Sequence, residues 1–366
     1  MKRVGHLWPE LTSFANLLGA AQAAAKGKRR RPDVAAFQFH LEPHLFDLRA
    51  ELLDGSYRPG PYRTFTIRDP KERLISAAPF RDRVVHHAFT RVVEPIFERR
   101  FSPYSFACRK GMGTHAALDV ARKGVRHCRF ALRLDVSKFF ASVDHEILME
   151  QLGRAVKCKP TLALAGSILD GFESPASPPV YFPGDGLFTP LERKTGLPLG
   201  NQTSQFFANV YLDGVDQLVV HRLRPSFYAR YVDDLVLFDD SKERLRDMRA
   251  AVEAALEQVR LRLHPAKSRL SECRDGTPFL GWRLLPDRAR LQRGNVVRFQ
   301  RRMAELQEDH AEGRIDLGRV RESVRAWIGH AGYGDTWMLR KNLLSRFRFR
   351  RGVRPDAVLV PKQEPR

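Results

Sequence analysis

The chain is poor in cysteine, in long apolar runs and in acidic residues. Its four cysteines lie far apart and show neither the Cys-x-x-Cys spacing of a zinc site nor the density of a disulfide framework, which favours a reducing compartment. No segment is apolar over the length of a membrane span, and the N-terminus lacks the apolar core of a signal peptide. We therefore expect a cytoplasmic protein without a membrane partner.

The scarcity of acidic residues leaves a strong positive charge. The 366 residues contain 63 Lys and Arg against 42 Asp and Glu, a formal net charge of +21, and the excess runs along the whole chain. Such a field attracts polyanions and predicts a nucleic-acid partner, with a ribosome-associated or merely soluble basic protein as the alternative. A hydrophobic content of 43% is ample for a globular core.

Two adjacent carboxylates interrupt an apolar stretch in the second half of the chain. Residues 229–238 read Ala-Arg-Tyr-Val-Asp-Asp-Leu-Val-Leu-Phe, two strand-like runs around Asp233 and Asp234. Burying such a pair is unfavourable unless a cation neutralises it, and Mg²⁺ is typically held by one or two carboxylates plus substrate phosphates. An ordinary surface turn is the alternative. A second pair, Asp239 and Asp240, precedes Ser-Lys-Glu and predicts a solvated strand end and a helix start.

A third carboxylate, Asp135, ends the short apolar stretch from Phe130 to Leu134. A sheet that places this strand beside the Asp233-Asp234 hairpin would bring three acids together. Three such acids can hold two metal ions, which activate a 3′-hydroxyl and stabilise a leaving pyrophosphate. Taken alone, an Asp in this position is more often a helix cap.

The spacing of apolar residues predicts an α+β fold with a largely antiparallel sheet. A hairpin is expected from strand-like residues 62–67 and 74–76, with cations in its turn. A Pro- and Gly-rich span at 171–198 is either an ordered excursion near a site or a flexible loop. Beyond about residue 290 the pattern is helical and basic, without strand signals. Helices are predicted at 10–25, 36–53, 81–98, 114–125, from about 144, from Gln202 to about 223, and at 241–260.

These motifs together resemble the reverse transcriptases over roughly residues 55–345. Asp135-Val-Ser-Lys-Phe-Phe resembles their first catalytic motif, and Tyr231-Val-Asp-Asp resembles the second. The resemblance implies a right-hand polymerase fold, RNA-directed DNA synthesis from dNTPs, an RNA template, a DNA product and two Mg²⁺ ions, which Mn²⁺ can replace. The expected divisions are an N-terminal helical extension, fingers and palm, a helical thumb and a disordered tail, at residues 1–60, 61–285, 286–350 and 351–366.

The same resemblance assigns roles to individual residues. Metal binding falls to Asp135, Val136, Asp233 and Asp234. Lys267 is placed beside the leaving pyrophosphate, where it protonates that group or offsets its charge. The dNTP contacts fall to Lys71, Arg73, Phe140, Leu199 and Gly200. Template and primer contacts fall to Tyr231, Phe279, Leu280, Gly281 and Trp282. On composition alone, these residues would be a basic hairpin surface, core aromatics and a buried strand.

The loop around Leu199 bears on the branch of the family. Many reverse transcriptases carry Pro-Gln-Gly there, whereas this chain has Pro-Leu-Gly within Leu197 to Asn201, followed by Gln-Thr-Ser-Gln. That form, and the segment from Trp327 to Ala331, resemble the enzymes of diversity-generating retroelements. The resemblance implies error-prone copying of a template-repeat RNA, with frequent errors opposite adenine. It also implies a small basic oligomeric accessory protein and a structured retroelement RNA as partners. Leu199 offers packing in place of an amide hydrogen bond, which would weaken discrimination by about 1–3 kcal/mol, unless it is a neutral variant.

Other branches and classes remain as alternatives. A phage-defence reverse transcriptase shares this core and makes cDNA as a defence product. A catalytically silent RNA-binding module is a rival of another class, although the three acids argue against it. Group II intron and retroviral enzymes are less favoured, since no endonuclease, ribonuclease H or long maturase segment is recognisable. The expected thumb would follow the template–primer duplex through basic residues, or carry a merely solubilising surface: Arg298, Arg301, Arg302, Arg314, Arg319, Arg321, Arg325, Arg340 and Lys341.

Overall fold

A computed structural model describes residues 2–68, 72–172 and 178–352. The expected triphosphate contact Lys71 and residues 353–366 of the expected tail lie outside these ranges.

The N-terminal region is helical, as its apolar spacing predicts. Ser13 begins the second helix by accepting a hydrogen bond from the Asn16 backbone N–H, and Gly55, at φ 78°, ends the fourth. The helix predicted at 36–53 is divided at His40, where the backbone leaves helical geometry. The four helices are α1 (Trp8–Leu11), α2 (Phe14–Ala25), α3 (Pro32–Phe39) and α4 (Leu41–Asp54).

A two-stranded hairpin follows, and two long helices come after it. The hairpin strands are antiparallel, which confirms the predicted pairing. The first long helix packs against α2 and buries the centre of the N-terminal region. These elements are β1 (Arg63–Arg68), β2 (Glu72–Ala77), α5 (Phe80–Glu98) and α6 (Thr114–His127).

The central sheet has four strands in the order β4-β5-β3-β6, with every neighbouring pair antiparallel. Residues 235–238 of β5 are fully buried, as expected of a strand covered on both faces. The elements are β3 (Phe130–Asp135), α7 (Phe139–Ser142), α8 (His145–Gly153), α9 (Lys159–Asp170), α10 (Thr189–Glu192), α11 (Gln202–Leu218), a π-helical turn (Val219–Leu223), β4 (Phe227–Tyr231), β5 (Asp234–Asp239), α12 (Lys242–Gln258) and β6 (Arg269–Glu272).

A small three-stranded sheet precedes the last helices. The third strand of this sheet lies beyond residue 285, so the expected boundary between palm and thumb falls inside the sheet. The division of the chain into palm and thumb stays a prediction. The helices have an apolar cluster of their own, in which the rings of Phe299 and Trp327 stack at 3.8 Å. The elements are β7 (Thr277–Phe279), β8 (Trp282–Leu284), β9 (Ala289–Leu291), α13 (Arg293–Ala311), α14 (Leu317–Ala331) and α15 (Trp337–Leu344).

The second acidic pair differs from its expectation. Asp239 is buried, accepts a hydrogen bond from the Ser241 backbone N–H and forms an ion pair of 2.7 Å with Arg244. The prediction of a solvated strand end was therefore wrong for Asp239, because the segment that follows the strand folds back onto it. The prediction of a helix start was correct, since Ser241 caps α12.

Candidate active site

Strand register brings the predicted catalytic acids to one end of the central sheet. Asp135, the last residue of β3, pairs directly with Asp234, the first residue of β5. The backbone N–H of Val136 donates to the Asp233 carbonyl at 3.2 Å, which joins the end of β3 to the β4–β5 turn. The sheet thus collects acids that are far apart in the chain. Val136 has a hydrocarbon side chain, so its backbone carbonyl is the group it could offer a metal ion.

The turn that carries Asp233 rests on a buried arginine. Val232, the preceding residue, has φ 57°, a left-handed conformation that is strained for a β-branched side chain. Its carbonyl accepts from Arg230 Nη1 at 3.0 Å. The Arg230 guanidinium is fully buried and pairs with Asp216 at 2.6 Å, and the Tyr228 hydroxyl donates to the same carboxylate at 2.6 Å. This network anchors the turn to α11.

Sequence reasoning missed Arg230 and Asp216. A signal was present, because an arginine in the middle of an apolar strand requires a buried partner. The partner's identity was not readable, since several acids in the chain could have met it.

Two cations already balance two of the three acids. Lys267 Nζ lies 2.5 Å from an Asp135 carboxylate oxygen, and Arg133 Nη2 lies 2.9 Å from an Asp234 oxygen. Lys267 reaches Asp135 because the segment before it follows the end of β3, where the His264 N–H donates to the Asp135 carbonyl at 2.7 Å. Lys267 is thus beside the acids, and its contact with pyrophosphate stays a prediction.

Burial perturbs the acids of the turn. Desolvation, reinforced by the nearby charges of Asp234 and Asp135, raises the pKa of Asp233 to about 6, against the opposing effect of Lys267. Burial also raises the pKa of Asp234, although Arg133 acts in the opposite direction. Both carboxylates of the turn are consequently easier to protonate than an exposed Asp, and a cation bound there would favour their ionised form.

The donor set fits a hard divalent ion in its chemistry. Carboxylate and carbonyl oxygens are the ligands that Mg²⁺ prefers, and the under-compensated acids favour a cation. Within the described ranges, however, no group of three or more His, Cys, Asp or Glu side chains is arranged to hold a metal ion. Lys267 occupies one of the two carboxylate oxygens of Asp135, and an ion bound through that oxygen would displace it.

The predicted nucleotide contacts lie around a loop that is joined to the hairpin. The Leu199 carbonyl accepts from the Ser76 N–H at 3.1 Å, next to the strand residue Ile75. Gly200 has φ 110°, and a Cβ there would lie 3.1 Å from Ile75 Cγ2, so glycine suits this close approach. Arg73, exposed, lies on the same strand. The Leu197 N–H donates to the carbonyl of Phe140, whose ring is partly buried.

The predicted template and primer contacts share one apolar cluster. Phe279 and Trp282 are fully buried core residues, and partly buried Tyr231 and Leu280 pack against that cluster. Gly281 lies between β7 and β8 with φ 84°. A Cβ on Gly281 would meet the Asn295 side chain at 2.3 Å.

The segment that begins at Trp327 meets the same cluster. The Trp282 ring lies 5.8 Å from that of His330 and 5.5 Å from that of Tyr333. Contacts with nucleic acid stay predictions for all of these residues.

Comparison with known proteins identifies the family. A model of the family described as reverse transcriptase (RNA-dependent DNA polymerase) matches residues 67–284, more than half of the chain. The chain belongs to this family. The antiparallel central sheet with its flanking helices is accordingly the right-hand polymerase fold, and the enzyme class is RNA-directed DNA polymerase. Membership implies an RNA template, dNTPs and a DNA product, in a family that generally depends on divalent metal ions.

Individual relatives match this chain at low sequence identity. Protein YkfC of Escherichia coli (strain K12) is 29% identical over 294 residues, which cover 71% of this chain and 76% of that protein. Nuclear intron maturase 2, mitochondrial, of Arabidopsis thaliana is 30% identical over 142 residues, 34% of this chain and 19% of that protein. The group II intron-encoded protein LtrA of Lactococcus lactis subsp. cremoris is 25% identical over 174 residues, which cover 46% of this chain and 27% of that protein. Intron proteins, less favoured by the motifs, are thus among the relatives.

The described residues include no helix that combines the length and the apolar character required to cross a membrane.

Proposed function

We propose that this reverse transcriptase extends a primer on RNA through Asp135, Asp233 and Asp234, with the Val136 carbonyl, as the ligands of two Mg²⁺ ions. The observation that carries this proposal is the register that pairs Asp135 with Asp234 at the turn bearing Asp233. Bound there, the ions would activate the 3′-hydroxyl and offset charge on the leaving pyrophosphate.

Residues around the acids have separate roles in this proposal. Arg133 holds the Asp234 carboxylate in place through its 2.9 Å contact. Lys267, released from Asp135, offsets the charge of the departing pyrophosphate, and Arg73 offsets charge on the incoming triphosphate. Phe140 closes the space that a ribose 2′-hydroxyl would need, which selects dNTPs.

We infer further that the enzyme is of the diversity-generating type and copies a template-repeat RNA with errors concentrated opposite adenine. Support comes from Leu199, whose carbonyl binds Ser76 on the hairpin strand while its side chain has no hydrogen-bonding group. Without an amide at this position, the nascent base pair loses one source of discrimination. A basic oligomeric accessory protein, a structured retroelement RNA and a cytoplasmic location belong to this inference.

A phage-defence reverse transcriptase is the second candidate, because it shares the same acids and differs in its product. A neighbouring gene with a variable repeat would favour diversification. Accurate or untemplated cDNA would favour defence.

The test is cDNA synthesis by the purified protein on an RNA template that contains all four bases, with Mg²⁺, dNTPs and sequenced products. Asp233→Asn should reduce synthesis by about a thousandfold or more, since a charged metal ligand is removed. Asp240→Asn removes the same charge one residue beyond the far end of β5 and should retain activity. Equal activity in wild type and Asp233→Asn would refute the proposed site. Errors spread evenly over the template bases would refute the diversity-generating assignment alone.

A further inference from the structure

A cavity of about 810 Å³ lies beside the segment that follows Asp135. Its wall is built from Ser137 and Lys138, from parts of the span 178–195, and from Arg260 and Arg262. The volume falls in the range of sites that hold small molecules of nucleotide size.

A buried carboxylate behind the wall pairs with two of the arginines that line this cavity. Asp144 is almost fully buried and lies 3.2 Å from Arg193 Nε and 2.7 Å from Arg260 Nη1. Arg193 also pairs with Asp185 at 2.5 Å, and its side chain is 8% exposed. The wall is therefore organised by ion pairs within the protein and does not need a ligand to form.

Two cations of the lining have no carboxylate partner among the residues that the structure describes. Of the five Lys and Arg side chains in the wall, Arg193 and Arg260 bind Asp144, and Lys194 binds Asp170 at 2.7 Å. The ion pairs found among the described residues include neither Lys138 nor Arg262. Unpaired cations in a concave, half-enclosed wall are suited to binding an anion.

Arg262 is held in position by contacts that leave it without an ion pair in the described part of the chain. Its Nη2 donates to the Tyr181 carbonyl at 2.7 Å, and its guanidinium lies over the Phe182 ring at 5.1 Å. One acidic residue of the lining, Glu192, opposes an anion, since none of the ion pairs in the described part of the chain involves it.

The same cations are connected to the catalytic acids through the backbone. The Ser137 N–H donates to the Arg262 carbonyl at 2.8 Å, two residues after Asp135. The segment that presents Arg262 to the cavity goes on to present Lys267 to Asp135.

We propose that this cavity binds a polyphosphate chain, with Lys138 and Arg262 as its charged contacts. The inference rests on the proposed polymerase function, which supplies two sources of this chemistry: the released pyrophosphate and the triphosphate of a second nucleotide. Apolar residues in the wall, among them Pro178, Pro179 and Leu191, offer a surface for a base in the second case.

The test is calorimetric titration of the full-length protein with inorganic tripolyphosphate in the presence of a chelator, so that binding through metal ions is excluded. Lys138→Gln with Arg262→Gln should raise Kd about tenfold, since the variant removes two charge-assisted hydrogen bonds to the anion. Glu192→Gln should lower Kd about threefold, because it removes the opposing charge.

Lys123→Gln with Lys242→Gln is the matched control. It removes the same two charges from exposed positions on α6 and α12 that do not line the cavity, and Kd should stay at the wild-type value. Circular dichroism would verify that each variant is folded. Equal Kd values in both double variants, or no binding by the wild type, would overturn the proposal.

Separate titrations with pyrophosphate and with dATP distinguish the two sources. Tighter binding of dATP than of tripolyphosphate indicates a nucleotide, and equal or weaker binding indicates pyrophosphate. Titrating the Asp233→Asn protein separates the cavity from the proposed function. If the wild type makes no cDNA but the Asp233→Asn protein still binds tripolyphosphate, the polymerase assignment would be refuted and the proposed cavity site would stand. Active polymerase without binding would refute the site alone.

Discussion

Arg230 shows how one buried side chain can determine the geometry of a catalytic turn. Its guanidinium connects Asp216 to the carbonyl of Val232, whose left-handed backbone aims the next residue, Asp233. Its side-chain hydrogen bonds among the described residues go to Asp216, Asn209, Ser105 and the Val232 carbonyl, and not to the three acids. Arg230 therefore acts as a positioning residue.

Arg230→Gln should therefore impair both stability and turnover. It leaves Asp216 buried without its cation, which costs about 3–5 kcal/mol of unfolding free energy. Chemical denaturation would measure the loss, and we expect kcat to fall more than KM for dNTPs changes. Arg154→Gln is the control, since its pair with Glu150 is exposed on both sides and should be worth less than about 1 kcal/mol. Similar losses in the two variants would contradict the role of Arg230.

Phe140 is expected to determine sugar selection. Phe140→Ala should raise ribonucleotide incorporation relative to dNTPs by about tenfold or more, because the ring that excludes a 2′-hydroxyl is gone. Single-nucleotide extension with paired rNTP and dNTP would measure the ratio. Phe139→Leu, in the neighbouring buried position, should lower stability and leave the ratio unchanged. An unaltered ratio in Phe140→Ala would make Phe140 a core residue only.

At the scale of elements, the loop 197–201 approaches β2 most tightly at Gly200, where a Cβ would lie 3.1 Å from Ile75 Cγ2. Gly200→Ala places a side chain at φ 110° and against Ile75, a strain of about 1–3 kcal/mol. We expect a several-fold rise in KM for dNTPs in steady-state kinetics. Gly214→Ala, inside α11 with open space around its Cβ, should be neutral or stabilising by up to about 1 kcal/mol. Unchanged KM in Gly200→Ala would show that the loop does not shape the nucleotide site.

Helix α5 carries Glu94, whose ionised carboxylate destabilises the folded protein. Burial, with the neighbouring charge of Glu98, raises the pKa of Glu94 from 4.5 to about 7. The fold therefore favours its protonated form, so its contribution to stability is full below pH 4.5 and is lost as the pH rises through about 7.

Glu94→Gln should consequently stabilise the protein at pH 8, by on the order of 1 kcal/mol after allowance for solvent screening, and have no effect near pH 4. Thermal unfolding across this range would measure the difference. Glu253→Gln, on the exposed face of α12, should show no such trend. A gain for Glu94→Gln that is equal at both pH values would contradict the assignment.

At the scale of the whole molecule, the net charge of +21 acts through surfaces rather than single contacts. The last helices carry basic residues of two kinds. Arg314 and Arg319 form ion pairs with nearby acids, whereas the ion pairs found among the described residues do not include Arg321 and Arg325, one turn apart on α14.

Arg321→Gln with Arg325→Gln should weaken binding of an RNA–DNA duplex. The slope of the logarithm of the binding constant against the logarithm of the salt concentration should become shallower by about one for each phosphate that is no longer neutralised. Fluorescence anisotropy at several salt concentrations would give the slope. Arg314→Gln with Arg319→Gln should change it less, since those charges are already balanced. Equal slopes in the two double variants would indicate a solubilising surface.

Local patterns predicted the elements well. The hairpin, the helices at 81–98 and 114–125, and the strand ending at Asp135 follow from apolar periodicity and turn residues, which depend on neighbours in sequence. A meeting of Asp135 with the Asp233-Asp234 hairpin was predicted as well, because a sheet can place the two apolar strands that carry these acids side by side. The cavity lined by Lys138 and Arg262, and the burial of Asp239, were not predicted, because each depends on contacts between distant segments.

The sequence by itself determined the fold class, the acids and the preference for polyanions, since these reside in residue types and their spacing. Only the tertiary structure decided which charges are paired: Lys267 with Asp135, Arg133 with Asp234, and Arg230 with Asp216. The physical reason is that an ion pair requires proximity in space, and strand register and helix packing bring together residues whose separation along the chain carries no such information.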